Sequence, residues 1–446
     1  MKPEGMMRCS SVCWVVAFAI GMVALVGCGE TQGGGGSGGS GGTGGMGGTG
    51  GVGGAGGMGG AGGMGGVGGM GGAGGLGGAG GMGGSGGMPD CQNPEDCDDG
   101  NDCTGNACMG GTCAYSAVAD GTACGLDAGT CQQGSCIGTF ACTEQGIRNA
   151  IAVGGGPHTF RCGGPTTVMT EAQIVIDHDV ILDGQGDLIV QGSQGSTGSH
   201  RAFSIAPGAT AKLVAITVTA GAADTQGGGI FNRGMLTVTN STVSGNEAGT
   251  YGGGIYNSGT LTVTSSTVSG NTAAQGGGGV ASTRTLTVTN STVSGNMTTQ
   301  DGGGIVNFGM LTVTSSTVSG NLAMNGGGIS SSGSLTLTNA VIKGDCSLFG
   351  SHISGGGNLE SPGGTCGFDQ PTDQANVSAD DLKLGPLADN GGPTQTRALL
   401  PGSVAIDHAE DCVDADDAPL TTDQRGVARP QGSTCDVGAF ELEVGP

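Results

Sequence analysis

The densest group of side chains able to move a proton or grip an ion is Asp177, His178, Asp179, Asp183 and Asp187. Carboxylates beside an imidazole could act as acid and base on a polysaccharide, a reaction that needs two titratable groups flanking one bond. Asp in short β segments more often caps turns, and that use is favoured here. A second group, Asp96, Asp98, Asp99, Asn101 and Asp102 around Gly100, offers the hard oxygen donors that calcium takes. Its spacing departs from an EF-hand and no bidentate Glu follows, so a solvated acidic turn is the stronger expectation. Asp407-His408 has no nucleophile nearby and reads as a loop pair. No Cys-x-x-Cys occurs and the cysteine-rich stretch lacks histidine, so zinc is not expected, nor is any other cofactor.

The elements that must carry these groups are unusual in composition. Glycine supplies 105 of 446 residues and aromatics only 3%. With so few large rings, a core must come from many small aliphatic contacts, which repeating architectures provide. The net charge is −23, yet residues 205–340 hold three acids (Asp224, Glu247, Asp301) and three bases (Lys212, Arg233, Arg284). Only 13 residues are Lys or Arg. Nucleic acid is therefore excluded as a partner, since neutralising phosphates requires clustered cations.

The N-terminus reads as an address. Lys2 and Arg8 precede an apolar run from Val12 to Val26, too short for the ~20 residues that span a bilayer. The run ends in Leu25-Val26-Gly27-Cys28, which resembles a bacterial lipobox. That resemblance implies cleavage after residue 27, lipidation of Cys28, and a place in the cell envelope, at the outer membrane or cell surface. Residues 28–89 are dominated by Gly-Gly-x repeats, expected to form a flexible tether with an r.m.s. span of roughly 40 Å.

Cys9 and Cys13 leave with the signal and Cys28 carries lipid, so fourteen of the 17 cysteines remain, an even number in an exported chain. Disulfides are the default there. Eight fall in residues 90–141: Cys91, Cys97, Cys103, Cys108, Cys113, Cys124, Cys131 and Cys136. That module has too few apolar residues to hold itself by burial, and its connectivity is open. The others form local couples, Cys142 with Cys162, Cys346 with Cys366, and Cys412 with Cys435, for which pairing within each couple is the hypothesis.

The body is a repeat. "LTVTNSTVSGN" at Leu236 recurs at Leu261, Leu286 and Leu311 and decays at Leu335, with "GGGI" between copies. Leu and Val alternate with Thr, the two-residue period of a half-buried strand, and β-branched residues suit a pleated surface. A unit of 25 residues is one coil of three short strands. The expected fold is all-β, a right-handed parallel β-helix over 142–365. Its inward columns are Leu236/Leu261/Leu286/Leu311/Leu335, Val238/Val263/Val288/Val313/Leu337, Val243/Val268/Val293/Val318/Ile342, and the Ile of each GGGI. Asn246, Asn271, Asn296, Asn321 and Asp345 should line one bend, and a helix over 143–153 should cap the first coil.

These residues resemble the pectate-lyase-like β-helix superfamily, and the GGGI-x-Asn copies resemble repeats of polymorphic outer-membrane proteins. The "CDDGN" stretch resembles small cysteine-rich repeats of myxobacterial and related surface proteins. The tail, "LGPLADNGGPTQTRALLPGSVAIDHAEDC" and "TDQRGVARPQGSTCDVGAFE", within 366–446, resembles the choice-of-anchor Q domain. Together they imply surface display with no catalytic residues to carry over. The reading that follows is a lipid-anchored structural or adhesion protein presenting a β-helical stalk to glycans or partner proteins. The alternative is a polysaccharide lyase or hydrolase. A minor one is ice binding by the Thr-x-Thr array of Thr237/Thr239 and its counterparts at 262/264, 287/289, 312/314 and 336/338.

Overall fold

The computed structural model describes residues 91–97, 103–124, 129–193 and 199–443. Cys28, the signal and tether segments, and Asp98, Asp99, Asn101 and Asp102 of the calcium candidate lie outside the described residues.

The cysteine-rich module is two small antiparallel sheets stapled by Cys91–Cys108, Cys97–Cys113, Cys103–Cys131 and Cys124–Cys136. Its core is cystine sulfur: Cys103, Cys124, Cys131 and Cys136 cluster with Val118 and with Val153 of the following helix. So small an apolar core needs covalent closure to offset chain entropy.

A parallel β-solenoid follows. Its first pairing starts at Thr139, slightly before the expected boundary, with Phe140 opposite Phe160. Helix Glu144–Val153 closes this end; the Thr143 hydroxyl accepts from the Gly146 N–H, and Ile147, Ala150 and Ile151 are buried. The Cys142–Cys162 disulfide ties the same region. Each regular coil then runs Ile-x-Asn strand, Leu-Thr-Val-Thr strand, Thr-Val-Ser strand. Leu236, Leu261, Leu286, Leu311 and Leu335 pair in register, as do the Val238 and Val243 columns. The Ile column stacks Ile230, Ile255, Val280, Ile305 and Ile329. All these side chains are buried.

The bends follow from residue type. Asn240, Ser265, Asn290, Ser315 and Asn339 turn the chain between the second and third strands at φ of 47–52°. Asn tolerates that left-handed conformation better than most residues; Ser takes it here because the flanking rungs pin the backbone. At the next bend Asn246 Nδ2 donates to Asn271 Oδ1 (2.9 Å), Asn271 to Asn296 (2.9 Å), and Asn296 to Asn321 (3.0 Å). Asp345 ends the column by accepting from the Gly327 N–H instead. Buried amides are stable here because each finds partners on both neighbouring rungs.

Cys346–Cys366 fastens the last rungs, and Cys412–Cys435 the segment beyond them. That segment folds back on the Thr-Val-Ser strands. Thr292 Oγ1 donates to Gln424 Oε1 (2.7 Å), Gln424 Nε2 donates to Thr267 Oγ1 (2.9 Å), and Arg397 Nε donates to Ser294 Oγ (2.9 Å). The Ala439 N–H donates to Thr317 Oγ1. Val341 and Leu359 of the solenoid share a core with Leu382, Leu399, Val437 and Phe440.

Candidate functional site

The middle residue of each Ile-x-Asn strand points away from the core, because alternation sends its neighbours inward. Down the sheet this outward column reads Val175, Ser204, Phe231, Tyr256, Ala281, Val306, Ser330 and Ser347. Phe231 and Tyr256 stack with ring centroids 5.4 Å apart and planes 16° apart. Tyr251, on the bend before strand Ile255–Asn257, reaches Phe308, just after strand Ile305–Asn307 two rungs along, edge to face at 5.9 Å. It can do so because Gly276 occupies Tyr251's position one rung up, where a Cβ would press on the ring at 3.1 Å. The two rings meet across the outward face, which accounts for the burial of Ala281 and Val306 there.

Two guanidinium groups complete the face. Arg201 Cζ lies 5.0 Å from the Phe231 ring centre and Arg233 Cζ 5.5 Å. Arg201 is fixed by donating to the Gly227 and Gln226 carbonyls and to Gln173 Oε1. Burial first, then the nearby Arg233, pulls its pKa below the usual arginine value. Flat rings flanked by cations suit the apolar faces and acidic substituents of sugars. These positions were not singled out from sequence; aligning the 25-residue units and reading the x of Ile-x-Asn would have found Phe231 and Tyr256.

The sequence candidates are placed otherwise. Asp177 Oδ1 sits 2.8 Å from His178 Nδ1, and the other ring nitrogen of His178 meets the Ile151 carbonyl. Asp179 accepts from the Thr210 N–H of the neighbouring coil, and Asp183 accepts from the Gln185 N–H in a turn contact. Asp187 is half-buried on the same strand as Asp183. Asp224 and Glu247 do line one recess, with Ser199, Ala222, Ala223 and Gly249. Asp301 lies elsewhere, accepting from Asn325 Nδ2. His408 contacts the Thr372 carbonyl and Gln374, whereas the Asp407 carboxylate faces the Thr434 N–H. Asp96 is exposed and accepts from the Gln92 and Asn93 N–H groups, which hold its pKa below the usual value. Among the described residues, side chains close enough together to share an ion are all cysteines in disulfides.

The Thr-x-Thr array is not an open plane. Thr289 and Thr314 are buried, where the adjoining Asn290 donates to the Thr422 carbonyl of the folded-back segment. The second threonine of the array is thus covered on two of its five rungs, while the first stays half-buried on all five.

No family model matches the chain, and no curated protein matches it significantly. Among solved structures, the crystal structure of pectate lyase Pel9A aligns at 14% identity with a TM-score of 0.43, covering 68% of this chain and 96% of that one. At that level the likeness carries no argument, and the solenoid rests on the strand register itself.

Proposed function

We propose that this chain is an exported, lipid-anchored envelope protein whose solenoid presents a glycan-binding face to the outside. One observation carries the binding role: the Phe231–Tyr256 stack on a rigid sheet, with Arg201 and Arg233 both against the Phe231 ring. Rigid rings contribute contact area without much ordering entropy, and that suits adhesion to a flexible polymer. Export and anchoring draw their support from Leu25-Val26-Gly27-Cys28 and from the seven disulfides among the described residues.

The test is a glycan array with the whole exported chain, repeated with Tyr256→Ala. Binding that falls at least tenfold in the variant supports the reading; equal binding by both, or none by either, overturns it. Palmitate labelling that survives Cys28→Ala would remove the anchor. Polysaccharide cleavage is the second reading, favoured by the recess that joins Asp224 and Glu247. Release of new reducing or unsaturated ends, abolished by Glu247→Gln, would establish it.

A further inference from the structure

Four rungs place glycine immediately before the strand carrying Leu-Thr-(Val/Leu)-Thr, Gly234, Gly259, Gly309 and Gly333, and Gly350 holds the equivalent position on the rung of strand His352–Ser354. The reason is steric. A Cβ at any of them would overlap the backbone oxygen of the rung below: Ala209, Gly234, Arg284, Gly309 and Gly333 respectively. The third regular rung breaks the rule and carries Arg284. A hydrogen bond breaks with it. Met235, Thr260, Met310 and Ser334 each donate their N–H to the residue at this position one rung below, but Thr285 makes no such bond to Gly259. Thr260 and Thr285 stay in register, and beside them lies an open recess of about 320 Å³ lined by Arg233, Gly259, Thr260, Arg284 and Thr285 among others.

The charged side chains that line the recess, Arg233 and Arg284, are both cations. Arg284 is exposed, the Arg233 guanidinium lies against the Phe231 ring, and neither forms an ion pair among the described residues. Lys212, the remaining base of residues 205–340, stands beside Thr237 near the same edge. The acids of that stretch are elsewhere: Asp224 and Glu247 line the other recess, and Asp301 sits on the bend that precedes the Ile-x-Asn strand. A recess whose charged side chains are both cations stands out on a chain of net charge −23, and its local field favours an anion.

From this we infer that the notch at Arg233, Arg284 and the Thr285 N–H is an oxyanion site, taking a carboxylate or sulfate group of an acidic glycan. It rests on the glycan-binding reading above and deepens it. Arg233 bridges the two features: it flanks the Phe231 ring on one side and lines the notch on the other. A sugar ring on Phe231–Tyr256 would thus place an acidic substituent of a neighbouring residue at the notch. The two arginines stand about two rungs apart, roughly 10 Å along the stack, so a single small anion would engage one guanidinium and a chain both.

The decisive variant is Arg284→Gly, which restores the residue found on the other five rungs. It should fold at least as well as the parent. Polygalacturonate and dextran sulfate are the acidic probes and neutral dextran the control, with affinity measured at fixed ionic strength. Acidic probes should bind the parent chain and weaken at least tenfold in Arg284→Gly and in Arg233→Gln; preference between the two probes tells carboxylate from sulfate. A separate arm compares thermal protection by sodium sulfate and sodium chloride. Extra protection by sulfate in the parent that disappears in Arg284→Gly supports the notch even if no glycan binds, which would sink the adhesion reading alone. Glycan binding that is lost in Tyr256→Ala but unchanged in Arg284→Gly, with equal sulfate protection, overturns the notch and leaves the adhesion reading standing.

Discussion

The regular rungs and the segment that folds back on them solve burial in opposite ways. From Ile230 to Lys343 the interior is aliphatic, and its polar groups are neutral amides and hydroxyls bonded to their copies one rung away. The segment after Phe368 buries charge instead. Arg425 pairs with Asp423 at 2.8 Å and lies 3.6 Å over the Phe440 ring, and Arg429 lies 3.6 Å from Glu441 with both side chains almost fully buried. A repeat can use one solution many times because each rung offers the next the same partners. A segment with no such neighbours must satisfy its backbone from within. Here Asp423, Asp436 and Glu441 do so, accepting N–H groups at Arg425, Val427, Asp407, Leu442, Gln431 and Asp436.

Four measurements break or sharpen that contrast. The largest effect is expected from Arg429→Ala, which strands Glu441 and Asp436 without their cation and should cost about 3–5 kcal/mol. Unfolding followed by proteolysis should show the tail released while the rungs persist; one cooperative transition would mean the two regions are a single unit. Next, Leu286→Ala opens a cavity in a column with no slack and should cost about 3 kcal/mol, read in the β signal of circular dichroism rather than in tail release. Asn271→Ala interrupts the amide ladder, leaving Asn246 Nδ2 without its Asn271 partner, and should cost about 2 kcal/mol by denaturant melts.

The smallest effect is in pH. Burial raises the carboxyls of Asp436 and Glu441 above their ordinary values of 3.8 and 4.5. Their contribution to stability is therefore fully present below those values and is lost as pH rises through the raised ones. Melting temperature of the tail should fall between pH 4 and pH 7 by less in Glu441→Gln than in the parent. An equal fall would show that burial of this charge is not what the tail senses.

Much of the solenoid was legible because a two-residue alternation inside a 25-residue period leaves few ways to place Leu236, Val238 and Val243. Asn246 and its counterparts were legible for the same reason, since a polar residue at a fixed step needs a partner at that step. The pairing of Cys91 through Cys136 was not, because eight cysteines without a pattern allow many connections. Nor was the covering of Thr267, Thr292 and Thr317 by Gln424 and Ala439, contacts more than 120 residues apart in the chain. The candidate face was half visible. Asp177 and His178 stand out by residue type but pair with each other and with the Ile151 carbonyl of the capping helix, whereas Phe231 and Tyr256 look like ordinary core aromatics until their outward register is known.

Because neighbouring rungs meet through near-identical surfaces, duplicating or deleting one whole 25-residue unit would leave the junctions on either side almost unchanged. Reach is thus a heritable quantity set by copy number, adjustable in steps of about 4.8 Å. Recombination between such similar coding stretches would lengthen or shorten the body while sparing the helical lid, and the tail would have to re-seat because it bonds to Thr267, Thr292, Ser294 and Thr317.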